Sequence, residues 1–224
     1  MKKQTLVILI LILFVTIFKI NNANAVSCQE IKLKEVFFEE YYEDFLWKKT
    51  DGVREIKWSM PDNYINKEKV IRQFSEIEKQ WVRESFKSID DVLDSFKFIE
   101  NNNNPDIVIG YTALKNSSGW WTVEGVKPYR ERGYIQLRYD IDWWFGYRDR
   151  FIQTVQQELG NIMGAGDIKP SDKIISIFED PAEKPYGNIP LLDFDKQVLK
   201  QLYKEDYCPK PRFDYPQTYL IVGI

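Results

Sequence analysis

The sequence predicts a mixed α/β domain, in which a sheet packs on two long helices and a small C-terminal lobe carries a third helix. Two observations predict this class. Short apolar segments bounded by Gly, Pro and Asn indicate strands, and two long segments show helical periodicity. Their order along the chain is strand, helix, four strands, helix, irregular loop and helix, which is typical of a sheet covered by helices.

The first strand and the first helix are predicted between residues 53 and 81. A strand is expected at Val53–Met60, because apolar residues interrupt polar ones there and Pro61 ends the run. Asn66 is then expected to cap a long helix. Its apolar residues repeat at spacings of 4, 3 and 4, at Val70, Phe74, Ile77 and Trp81.

Four further strands and two further helices complete the prediction. The strands are expected at Phe96–Ile99, at Ile107–Ile109 before Gly110, at Trp120–Val123 and at Tyr134–Tyr139. A second helix is expected over residues 147–163, with Gly164 placed to end it. Asp193 is expected to cap the third helix.

The beginning of the chain has the pattern of a secretory signal peptide. Lys2 and Lys3 precede an apolar run at Leu6–Phe18, which is too short for a comfortable membrane span, and an A-x-A cleavage site ends at Ala25. The protein is therefore expected to be secreted, periplasmic or part of the cell envelope. We divide the chain into signal peptide (1–25), N-terminal extension (26–52), one domain (53–208) and tail (209–224).

Charge and cysteine content limit the classes of partner. Loss of the signal peptide lowers the formal charge from −3 to −6, which argues against nucleic acid. The 7 Trp, 13 Tyr and 14 Phe exceed what is usual for an acidic chain and suggest a groove for a peptide or protein as well as a core. Cys28 and Cys208 are expected to form a disulfide, with lipidation of Cys28 as the alternative.

The chain contains no histidine, so it has no histidine zinc ligand and no histidine general base. Nevertheless, residues 155–167, VQQELGNIMGAGD, resemble the HExxHxxGxxH segment of the metzincin zinc peptidases, most closely the matrixins. The resemblance places Gln157, Asn161 and Asp167 at the three metal-ligand positions and Glu158 at the position of the general base. Residues 157 and 161 share one helix face, since they are one turn apart.

Four other segments extend the resemblance, in the same order as in the family. They are PDIVIGY at 105–111, GYIQLRYD at 133–140, SIFEDP at 176–181 and LLDFDKQVLKQLY at 191–203. SIFEDP is similar to the Met-turn beneath the zinc, with Phe178 in place of the methionine. The resemblance implies a twisted, mostly parallel sheet with an antiparallel edge strand.

The residues at the ligand positions do not favour a metal. Zinc prefers imidazole, thiolate and carboxylate, whereas Gln157 and Asn161 offer neutral amide oxygens. We therefore expect no cofactor, and a hydrogen-bonded polar cluster of Gln157, Asn161 and Asp167 in its place. The expected function is that of a non-proteolytic metzincin-like protein that binds a peptide or protein in the vestigial cleft. Trp120 and Trp121 are the candidate binding residues at its rim, and the alternative is that one of the two packs inward.

The alternative is an active metalloendopeptidase with a non-standard zinc or calcium site. Glu158 would then serve as the general base, as the resemblance implies. Calcium accepts amide and carboxylate oxygens, so this alternative stays open at the level of the sequence.

Overall fold

A computed structural model describes residues 31, 33, 45–114, 117–139, 147–168, 176–178 and 191–205. Its strands are β1 (Leu46–Trp47), β2 (Arg54–Ser59), β3 (Tyr64–Ile65), β4 (Glu68–Lys69), β5 (Phe96–Glu100), β6 (Ile107–Thr112), β7 (Gly119–Val126) and β8 (Tyr129–Arg138). Its helices are α1 (Glu76–Asp90), α2 (Tyr147–Ile162) and α3 (Asp193–Leu202).

The main sheet has the strand order β5, β2, β6, β8, β7, and the short strand β1 pairs with the start of β8. All of these pairings are parallel except that of β7 with β8. The predicted fold class is therefore confirmed: a mixed α/β domain with a mostly parallel sheet, an antiparallel edge strand, two long helices and a third helix near the C-terminal end.

The core lies between one face of the sheet and the helices α1 and α2. Aromatic side chains fill much of it, and the rings of Trp58 and Phe86 stack with their centroids 4.1 Å apart. Phe151 of α2 is fully buried against Trp81 of α1, with the ring centroids 5.7 Å apart. Contacts between apolar residues of the two helices and the sheet thus fix the position of α2, the helix that carries the metzincin-like motif.

A small hairpin of β3 and β4 covers part of the opposite face of the sheet. Ile65 is fully buried there and lies so close to Gly110 that a Cβ at Gly110 would be 2.6 Å from Ile65 Cδ1. The sequence pattern had predicted a helix over this hairpin. Asn66 and Lys67 instead form its turn, with φ of 44° and 70°, so the prediction that Asn66 caps a helix is wrong.

The helix α1 begins well after its predicted start. Ser75 is its N-cap, and the Ser75 and Glu78 side chains form a capping box with the backbone of the first turn. Ile77, which was expected on the buried stripe, is 57% exposed. The capping box decides where the helix starts, because it satisfies backbone N–H groups that the apolar spacing does not take into account.

Three smaller differences concern element ends. Strand β6 continues through Gly110 to Thr112, beyond its predicted end, and both β7 and β8 begin before their predicted starts. Helix α2 ends at Ile162 and Gly164 follows with φ of 105°, as expected for a glycine that ends a helix. Leu192, and not Asp193, precedes α3, and its backbone N–H donates to Asp195 Oδ2 at 2.8 Å.

Several predictions concern residues outside the described ranges. The signal peptide, Cys28, Cys208 and the tail at 209–224 lie there, as does most of the N-terminal extension, so these stay predictions. Within the described residues, no helix is both long enough and apolar enough to span a membrane.

Candidate functional site

The three residues that the resemblance places at ligand positions meet at one atom, Asp167 Oδ1. Gln157 and Asn161 lie one turn apart on α2, and the chain turns back after Gly164 to bring Asp167 beside them. Gln157 Nε2 donates to Asp167 Oδ1 at 3.3 Å and Asn161 Nδ2 donates to the same oxygen at 3.2 Å. The metzincin-like frame therefore brings these side chains together, and they bind one another.

The C-terminal end of α2 is held by donors from three other parts of the chain. The buried Arg130 guanidinium donates to the backbone carbonyl of Asn161 at 2.7 Å and also to that of Ile162. Trp47 Nε1 donates to the Ile162 carbonyl at 3.1 Å, and the Tyr203 hydroxyl donates to the Met163 carbonyl at 2.9 Å. A cation at this end is favourable because the last carbonyls of a helix carry partial negative charge.

Glu158, at the general-base position, is enclosed between α2 and β7. Its side chain is 7% exposed, and a Cβ built on Gly119 would lie 2.5 Å from Glu158 Oε1. Burial, with a smaller contribution from the charge of Asp167, raises the pKa of Glu158 to about 8. Burial therefore favours the protonated form of the carboxyl group, and a Cβ at position 119 would also lie 2.9 Å from Glu158 Cγ and from Thr154 Cγ2.

Phe178, at the Met-turn position, packs directly on α2. Its ring is fully buried, and a Cβ at Gly160 would lie 2.0 Å from Phe178 Cε1. The backbone N–H of Ile168 donates to the Phe178 carbonyl at 2.9 Å. This bond joins the segment that follows Asp167 to the segment of Phe178.

These residues do not fit zinc. The amide N–H groups of Gln157 and Asn161, and not their oxygens, face the one carboxylate of the cluster. Metal binding would require both amides to turn round and give up these bonds, and would gain only neutral oxygen donors in return. Among the described residues, no group of three His, Cys, Asp or Glu side chains is arranged to hold a metal ion.

One buried acceptor in the cluster has no partner in the described part of the chain. Asn161 is 2% exposed, and its Oδ1 accepts no hydrogen bond there. A single amide oxygen is not a cation site, since calcium takes six to eight oxygen ligands.

The two tryptophans of β7 lie on opposite faces of the sheet. Gly119 faces Glu158, and side chains alternate along a strand, so Trp121 lies on the same face and Trp120 on the other. Trp121 packs against the core, with its ring centroid 5.6 Å from the Arg130 guanidinium carbon. Trp120 is 54% exposed and is not brought together with Glu158.

Three residues of the site were not predicted from the sequence. Gly119 and Gly160 provide room for Glu158 and Phe178, and Arg130 holds the end of α2. Gly160, inside the motif, is an isolated glycine in a helical pattern, which signals close packing. Nothing in the sequence distinguishes Arg130 from the other basic residues of its hairpin, since its partners are distant in the chain.

No protein-family model matches the chain, and no curated protein matches it. Among solved structures, it is similar to high choriolytic enzyme 1, a hatching enzyme zinc-protease from the medaka fish Oryzias latipes, at 15% identity and a TM-score of 0.42, over 72% of this chain and 95% of that one. It is similar to an archaemetzincin from Methanopyrus kandleri at 12% identity and a TM-score of 0.40, over 68% and 97%. The GM1-bound form of the ECX AB5 holotoxin gives 10% identity and a TM-score of 0.43, over 80% and 83%. At these values the likeness assigns no activity, metal or ligand to this chain.

Proposed function

We propose that this chain is an exported, metzincin-like protein without peptidase activity, which binds an extended peptide or a protein segment. The observation that carries the proposal is the convergence of Gln157 and Asn161 on Asp167 Oδ1. The amide N–H groups of both side chains donate to this carboxylate, so the residues are hydrogen-bonded to one another and are not arranged as metal ligands.

The chemistry of the site supports a loss of catalysis. Metal-assisted hydrolysis needs an ion that lowers the pKa of bound water to about 7, and the donor set does not fit zinc. Glu158 holds its proton at neutral pH, because burial raises its pKa to about 8, and β7 encloses it. The alternative, an active metalloendopeptidase, requires a different arrangement of four side chains, those of Gln157, Glu158, Asn161 and Asp167.

The edge strand β7 is the feature that supports binding. It pairs only with β8 among the described strands, and an extended peptide can add to such an edge through backbone hydrogen bonds. The Arg138 N–H donates to the Ser118 carbonyl at 2.9 Å, so the backbone groups of residue 118 point toward β8. In an antiparallel pair the backbone N–H and C=O groups of successive residues point alternately toward and away from the partner strand. The N–H and C=O groups of Gly119 and Val123 therefore point away from β8.

The first experiment measures metal content and cleavage. Residues 26–224 are expressed without a histidine tag, incubated with zinc, calcium or manganese, and analysed by plasma mass spectrometry and with denatured casein as substrate. We expect well below one equivalent of metal and no cleavage. One zinc per chain that Asp167→Ala abolishes, together with cleavage, would establish the alternative.

A second experiment tests the edge of β7. Short random peptides displayed on phage are selected on the protein, and the enriched sequences are measured with two variants. Val123→Pro removes an outward N–H, whereas Val123→Ala shortens the same side chain and keeps that N–H. We expect the Pro variant alone to lose at least about tenfold in affinity, which corresponds to about 1.4 kcal/mol. Equal affinities would show that peptides do not pair with this edge.

A further inference from the structure

We infer that Asp167 performs the cross-linking that a metal would perform in this frame, tying α2 to the segment that returns beneath it. The inference rests on the proposed absence of a metal and concerns what holds the site together. The carboxylate Oδ1 accepts from two α2 side chains at once, at 3.3 Å from Gln157 and at 3.2 Å from Asn161.

The return segment needs such a link because its backbone is unusual. Gly164 and Gly166 both have positive φ, 105° and 64°, which only glycine adopts readily, and glycine loses the most conformational entropy on being ordered. Between them, Ala165 donates its N–H to the Gly160 carbonyl at 2.9 Å. Asp167 is the first residue after these glycines whose side chain bonds back to the helix.

The link extends from Asp167 to a third part of the chain. Ile168 is buried and donates its N–H to the Phe178 carbonyl at 2.9 Å, and the Phe178 ring packs on Gly160 of α2. Each of three segments, α2, residues 164–168 and the segment of Phe178, therefore contacts the other two. Asp167 Oδ1 joins the first two of them by accepting from both α2 side chains, as a metal bound by these residues would join them. A carboxylate suits this position because one of its oxygens accepts two hydrogen bonds and its charge strengthens both.

Native-state hydrogen exchange tests the inference. Exchange of the amides at 165–168 is compared in the wild type, in Asp167→Ala and in the control Asp62→Ala, which removes an exposed carboxylate. All samples are treated with a chelator first, and the wild type is also measured without this treatment. Loss of both charge-assisted bonds is expected to raise exchange at Ile168 by at least about tenfold in Asp167→Ala, with no change in the control. Unchanged exchange in Asp167→Ala overturns the inference.

A second variant keeps the test decisive if Asp167→Ala does not fold. Asp167→Asn retains an acceptor oxygen without its charge, and exchange at Ile168 should rise by a few-fold. Exchange identical to the wild type would overturn the inference. Failure here is distinct from failure of the proposed function, which would appear as faster exchange of the wild type itself after chelation.

Discussion

The contact between Gly160 and Phe178 gives the most exact prediction about this site. In an ordinary helix interior, alanine is more stable than glycine by about 1 kcal/mol. Here the new Cβ would lie 2.0 Å from Phe178 Cε1 and 2.8 Å from Cζ, far inside normal contact. The ring is fully buried, so it cannot relieve this contact by turning out into solvent. Gly160→Ala should therefore destabilise the protein, contrary to the helix propensities.

The magnitude follows from the two opposing effects. Overpacking of a well-packed core costs about 1–3 kcal/mol, and a contact this short belongs at the upper end of that range. After subtraction of the propensity gain, the net loss in the free energy of unfolding should be about 2 kcal/mol. When Phe178 is replaced by the flexible methionine, the same Gly160→Ala change should cost nearly nothing, which gives a coupling free energy of about 2 kcal/mol.

Urea denaturation of Gly160→Ala, of Phe178→Met and of the double variant measures this coupling. Gly52→Ala serves as the control, because a Cβ at Gly52 would meet no atom within 4 Å. A Gly160→Ala variant that is more stable than the wild type would refute the reasoning. So would a Gly160→Ala change that costs the same in the wild-type background and in the Phe178→Met background.

Two further predictions follow from burial and from the chain ends. Between pH 4.5 and about 8, folded Glu158 keeps a proton that the unfolded chain has released, so stability should fall as pH rises, by at most about 1.4 kcal/mol per unit. Glu158→Gln should remove the part of the slope that Glu158 contributes in urea titrations, and leave the part from the buried Asp195, whose pKa is raised to about 7; parallel curves for the two proteins would contradict the raised pKa of Glu158. The Ile31 backbone is held by the Gln201 side chain at 3.0 and 2.7 Å, which brings the first described residue close to the last helix. Peptide mapping without reductant should therefore recover Cys28 linked to Cys208, and a lipid mass on Cys28 would favour the alternative.

The sequence predicts those parts of the fold that depend on local pattern. Helix α2 and the strand β2 were found because a sustained apolar period and the flanking Pro or Gly residues agree with the tertiary structure. The region of residues 66–75 was misread because Val70 and Phe74 continue the helical spacing while packing from a hairpin and a loop. Apolar spacing alone cannot distinguish a helix from a hairpin followed by a loop. The capping box of Ser75 and Glu78 is the sequence signal that marks the true start of the helix.

The site was predictable only where its residues lie within one motif. The resemblance to the metzincin motif selected Gln157, Asn161 and Asp167, and their donor chemistry led us to expect the hydrogen bonds that join them. The contacts of Gly119 with Glu158 and of Gly160 with Phe178 depend on how distant segments meet. A sequence read by itself contains no signal for such pairs until the sheet and the helix have been placed.

The shared oxygen of Asp167 also has an evolutionary consequence. Codons for Gln, Asn and Asp each lie one base change from a histidine codon, so each of the three positions is a single mutation away from a histidine. A first change at any of them, however, removes at least one of the two bonds to Asp167 Oδ1 and supplies only one imidazole, which binds zinc weakly on its own. Each single step should therefore cost stability before a second imidazole is present to help hold a metal.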